Sequence, residues 1–139
     1  MKLRPYSSTL IALAGLLLML MGIYFMFLRP SLLPEDLRYM NVSLPKIQDQ
    51  IPDLQTWLKK VFWVMGGYIF TTGLLTIYIS YTSFRARLPK AFAIVLISAI
   101  SSIGSMTVVN FILGSEFKWV LLIFSLIWAT SLVLYRFNK

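Results

Sequence analysis

The chain has 139 residues, of which 58% are hydrophobic and 13% charged, and its net charge is +8. Soluble domains carry roughly 45–50% apolar and about 25% charged residues, so this composition excludes an ordinary soluble domain and points to an integral membrane protein. With no Cys and no His, thiolate nucleophiles, disulfide exchange, imidazole bases and Cys/His metal or haem ligation are excluded as well.

Four stretches lack charged residues: 7–28, 61–83, 91–113 and 119–135. Residues 7–28 follow the basic residues Lys2 and Arg4, as in a signal peptide. The apolar part is longer than an h-region of about 7–15 residues, and it ends in Leu28-Arg29-Pro30 without a small-x-small cleavage site. The reading is an uncleaved membrane anchor. Gly15 and Gly22 lie seven apart on one face and suit close helix packing, while Met19, Met21 and Met26 offer adaptable apolar contacts.

The connection 29–60 is longer than chain closure requires, and long connections tend to be functional. Residues 33–40 read as a short helix, with Pro34 at its start, Glu35 and Asp36 in its first turn and Asn41 as its stop. Ser43 and Pro45 open a second piece. Ile47, Ile51, Leu54, Leu58 and Val61 then form an apolar helical stripe, with Pro52-Asp53 set to kink it or to start a new helix. An amphipathic segment on the outer leaflet is the simplest expectation, and a lid or docking surface is the alternative. Glu35, Asp36, Arg38, Tyr39 and Trp57 are its candidate interaction residues. Asn41-Val42-Ser43 matches the N-glycosylation acceptor pattern.

Residues 61–83 carry Gly66, Thr72, Gly73, Thr76 and Ser80 on a small, weakly polar face. Residues 91–113 carry Ser98, Ser101, Ser102 and Ser105 on another. A seven-residue link joins the two stretches, so these faces are expected to meet, with hydroxyls bonding across the contact. A solute-lining or ligand-lining seam is the alternative use of the same residues. Asn110, off the serine face, suits an interfacial or capping role. Residues 119–135 are short for a span, at about 26 Å. Trp119 and Tyr135 at their ends, with Trp63 on the second stretch, are expected as interface anchors.

Each of the first three stretches covers about 33–35 Å as a helix, enough for a hydrocarbon core of about 30 Å. The expected fold is therefore an all-α membrane protein of one domain, residues 1–139. Four transmembrane helices form an antiparallel bundle, with a partly helical, amphipathic loop between the first two. One side carries Lys2, Arg4, Arg85, Arg87, Lys90, Arg136 and Lys139 with no acid, and the other carries all five acids. The positive-inside rule puts both termini in the cytoplasm, in a cell or inner membrane. The positive charge is a topology signal, and no nucleic-acid partner is expected.

No ionisable residue lies within a span, whereas intramembrane proton-coupled or hydrolytic chemistry needs one. The size is similar to that of the small multidrug exporters, whose membrane Glu is missing here. The Gly66–Thr72 track resembles that of the small fluoride channels without its spacing. The long loop resembles that of claudin-like proteins without its Cys pair. No catalytic residue, cofactor or metal is expected. The leading expectation is a non-enzymatic accessory or assembly subunit of a larger membrane complex, with lipids and another membrane protein or a second copy as partners. An oligomeric channel or carrier for a small solute or lipid, using the Ser/Thr seam, is one alternative. An enzyme at the lipid interface, using Glu35, Asp36 or Arg38, is the other.

Overall fold

The computed structural model describes residues 4–137. Lys2 and Lys139 of the charge count lie outside them. Among the described residues every regular element is helical. Helix α1 (Arg4–Ile23) ends in a π-helical turn, Tyr24–Leu28. The loop holds α2 (Pro34–Met40) and α3 (Leu44–Gln50). Helix α4 (Leu54–Ile79) runs into a second π turn, Ser80–Phe84. Helices α5 (Ala91–Ala99) and α6 (Ser105–Ile112) are one rod joined by a third π turn, Ile100–Gly104. Helix α7 (Lys118–Phe137) completes the fold. Four rods, Tyr6–Leu28, Leu54–Phe84, Ala91–Ile112 and Lys118–Phe137, are long and apolar enough to cross a membrane. The chain is a small polytopic integral membrane protein.

The boundaries refine the sequence reading in physical terms. The second rod begins at Leu54, so Lys59 and Lys60 lie inside it. Its 31 residues reach roughly 46 Å, longer than the hydrocarbon is thick. Pro52 lacks an amide donor and the chain breaks around it, which ends the apolar stripe from Ile47 as a continuous helix. The fourth rod has 20 residues, which removes the shortfall. Asn41 stops α2 in the left-handed conformation, φ 53°, as its position suggests.

Packing begins with α1 and α4. Gly15 sits against Gly73 and Gly22 against Gly66, in matching seven-residue steps on two antiparallel helices. A Cβ on Gly66 would lie 2.6 Å from the Gly22 carbonyl oxygen, and one on Gly73 would lie 2.5 Å from that of Gly15. Only hydrogen fits there. Helix α7 packs on another side of α1 and carries α5–α6 on its own flank. Ser131 donates to the Ser7 carbonyl at 2.6 Å, and the Thr107 and Ser125 hydroxyls lie 2.8 Å apart between α6 and α7. The order is thus α4, α1, α7, α5–α6, an arc instead of a closed square.

Near the chain termini the arc is shut. Phe84 is buried, with its ring centroid 4.2 Å from that of Tyr135, and Phe92 stacks on the same tyrosine. The Arg87 guanidinium lies over the Tyr135 ring and donates to its carbonyl at 2.9 Å. At the loop end α4 and α6 stay apart.

Gly66→Ala and Gly73→Ala are each expected to destabilise the protein by about 1–3 kcal/mol through overpacking. Gly67 has nothing within 4 Å of a would-be Cβ. Gly67→Ala is therefore expected to be neutral or to stabilise by up to about 1 kcal/mol through helix propensity. Apparent thermal midpoints in detergent check the contrast.

Candidate functional site

The gap left by the arc is a chamber of about 1070 Å³, at the upper end of the range of ligand pockets. It occupies the half of the bundle nearer the loop. Leu18, Met21, Ile103, Met106, Leu121 and Phe124 form its apolar wall. Its rims are exposed residues of two helices that do not pack together: Val64, Met65 and Tyr68 on α4, and Ser101, Ser105 and Val109 on α5–α6. The opening therefore faces sideways, toward the hydrocarbon of the bilayer.

The π turn at Ile100–Gly104 sets the floor. Such turns within helices are frequent at functional sites. A Cβ at Gly104 would meet the Ala99 carbonyl oxygen at 2.9 Å, so the widened turn favours glycine there. Ser101 and Ser102 of this turn line the chamber, as do Ser105 on α6 and Thr72 on α4.

These hydroxyls correct the expected seam. The small faces of the second and third spans do not meet; they stand on opposite sides of the gap or turn away from it. Gly66 and Gly73 are used against α1. The Thr72, Thr76 and Ser80 hydroxyls donate to the carbonyls of Tyr68, Thr72 and Ile77. Ser101 donates to Ile97, Ser102 to Ser98, and Ser105 to Ser101 and Ser102. Back-bonding within one helix satisfies each group locally and removes the need for a partner across the gap. Asn110 does the same through Nδ2 to the Met106 carbonyl, 2.8 Å away, while lining the chamber. Hydroxyls that do bond across helices include Thr107, Ser125 and Ser131.

The loop closes the end of the chamber away from the chain termini. Pro34 starts α2, and Asp36 accepts the Leu33 amide at 2.8 Å, which fixes the first turn. That turn brings Glu35 and Asp36 over the chamber. Glu35 is buried and accepts a hydrogen bond from Ser115 Oγ at 2.9 Å, tying α2 to the last interhelical link. Arg29, placed by the π turn that ends the first span, approaches Asp36 at 3.4 Å. Its guanidinium also lies 3.7 Å from the Phe62 ring centroid.

The candidate loop residues thus divide. Glu35 and Asp36 face the chamber, whereas Arg38, Tyr39 and Trp57 are exposed and do not line it. Trp63 and Trp119 are exposed. Tyr135 is partly buried and packed against Phe84, Phe92 and Arg87. Sequence reasoning missed Arg29 and Ser115. Arg29 directly follows an aromatic-rich helix end and precedes Pro30, a signal available in the sequence, whereas Ser115 is recognised only by its contact with Glu35.

Comparison with protein-family models, with curated proteins and with solved structures finds no match to this chain.

Removing the carboxylate that fixes α2 is expected to loosen the cover without unfolding the bundle. In Asp36→Ala the amides of α2 should exchange roughly five-fold faster, the equivalent of about 1 kcal/mol of local stability. Amides in α1 and α4 should be unchanged, as read by hydrogen exchange.

Proposed function

We propose that this protein binds one membrane amphiphile, with the alkyl chain in the chamber and the head beneath α2. The single observation that carries the reading is the lateral opening between α4 and α5–α6, which connects an apolar chamber to the bilayer. An alkyl chain entering from the bilayer exchanges one apolar surrounding for another. Its gain comes from close van der Waals contact and from polar contacts at the head. The back-bonded hydroxyls present few free donors to a chain passing over them. The polar groups gather instead at the loop end, where Arg29, Glu35, Asp36 and Ser115 can meet a head group.

This favours the lipid-carrier alternative over the accessory-subunit expectation, which rests on composition and size. A lipid-interface enzyme is a weaker use of the same groups. Glu35 and Asp36 hold the cover in place, and Arg38 stands outside the chamber.

The reading is tested on tagged protein extracted from its native membrane in mild detergent, by mass spectrometry of everything that travels with it. A lipid or similar amphiphile at about one per chain is expected. Its loss in Ser102→Trp/Met106→Trp, which fills the chamber, is expected at unchanged extraction yield. A stoichiometric membrane protein with no retained amphiphile would return the accessory-subunit reading to first place.

We further propose the orientation that the charge count supports, with termini and the 85–90 link in the cytoplasm and the loop outside. Ser31 is buried against α4 through its bond to the Gln55 carbonyl, so the exposed Gln48 is the better reporter of the loop. With no native Cys, Gln48→Cys should be labelled by an impermeant thiol reagent in intact cells, and Ala86→Cys only after lysis. Labelling of both in intact cells would contradict this topology.

A further inference from the structure

At the loop end of the chamber, Arg29 and Asp36 compensate one another. Arg29 is engaged by Asp36 and by the ring of Phe62, and Asp36 also accepts the Leu33 amide. Glu35 is different. It is 4% exposed and lines the chamber, yet among the described residues no cation stands within ion-pair distance of its carboxylate. The partner it has is the Ser115 hydroxyl, itself buried and also accepting the Phe117 amide at 3.1 Å. A hydroxyl gives one proton to a group with about four acceptor positions. In its ionised form a carboxylate so placed is stabilised by a cation or further donors that offset its lost hydration.

The surroundings fit a cation. Arg29, Glu35 and Asp36 together leave one negative charge in excess. Tyr24 and Phe117, with ring centroids 6.0 Å apart, line the same end of the chamber. Aromatic faces attract ammonium groups. From these observations we infer that the chamber selects amphiphiles whose head carries an ammonium group, with Glu35 as the counter-ion. The inference rests on the amphiphile-binding reading above. The alkyl chain supplies retention in the apolar wall, and the charge pairing supplies the choice among heads. Two sources carry this chemistry: a plain cationic amphiphile, and a zwitterionic lipid with a phosphate beside its ammonium.

The test uses the full chain in neutral maltoside micelles. It is equilibrated with four amphiphiles that share one alkyl chain and carry trimethylammonium, phosphocholine, glycerol or phosphate heads, and native mass spectrometry reads retention. The trimethylammonium head is expected to be retained about ten-fold or more over the glycerol head, the scale of a charge-assisted contact. The phosphate head should be retained least. Phosphocholine retained like trimethylammonium assigns the site to zwitterionic lipids; phosphocholine retained only like glycerol assigns it to plain cations. Glu35→Gln keeps an oxygen for Ser115 and should level the series. Glycerol retained as well as trimethylammonium by the wild type, or a preference unchanged in Glu35→Gln, overturns the inference and leaves the chamber reading standing. No head retained by the wild type overturns both.

Discussion

The rest of the structure depends on the contact of two glycine pairs between α1 and α4. In a bilayer, apolar side chains gain little by leaving lipid for one another, so helices associate through close backbone approach and polar contacts. Gly15 on Gly73 and Gly22 on Gly66 supply that approach twice, two turns apart. The same contact fixes what α4 cannot do. Its small face is used against α1. Facing the gap it has the exposed Val64, Met65 and Tyr68. Helix α7 occupies the other side of α1, and the third span must pack there. Four helices in this order make an arc, and the space inside it is the chamber.

Two further features close the chamber at its two ends. Phe84, Phe92, Tyr135 and Arg87 seal the end near the termini with aromatic and cation–π contacts. At the loop end the cover is a short helix held by polar groups: Asp36 on the Leu33 amide, Arg29 on Asp36, and Ser115 on Glu35. The apolar seal is permanent in character, whereas a seven-residue helix with a few polar ties is the kind of element that opens locally. That asymmetry gathers the polar groups at the loop end of the chamber and leaves its floor featureless apart from back-bonded hydroxyls.

Much of the fold was legible in the sequence because it follows from length and charge alone. Four uncharged stretches and two short links dictate four antiparallel spans. Pro34 and Asn41 mark the ends of α2, and Pro52 breaks the stripe that begins at Ile47. The candidate site was less legible. Seven-residue spacing flagged Gly15 and Gly22 for close packing, but it could not say that their partners were Gly66 and Gly73. The short link to the third span suggested a different pairing. A serine on a helix face looks the same in sequence whether its hydroxyl crosses to a neighbour or folds back one turn. Ser101 and Ser102 fold back, Thr107 does both, and Ser131 crosses over. Glu35 is legible as a first-turn acid, yet its burial follows from α2 swinging over the bundle to reach Ser115, 80 residues along the chain.

The most direct measurement is nuclear Overhauser contact between bilayer lipid and protein methyl groups, on the full chain in lipid nanodiscs. Leu18, Ile103 and Leu121 line the chamber and are 1–3% exposed. Lipid-chain protons are expected to contact the methyls of all three, and the contacts should vanish in Ser102→Trp/Met106→Trp. Contacts confined to outward methyls such as those of Ile97 and Val108 would mean that the chamber is closed to lipid, and would contradict the proposed function at its root.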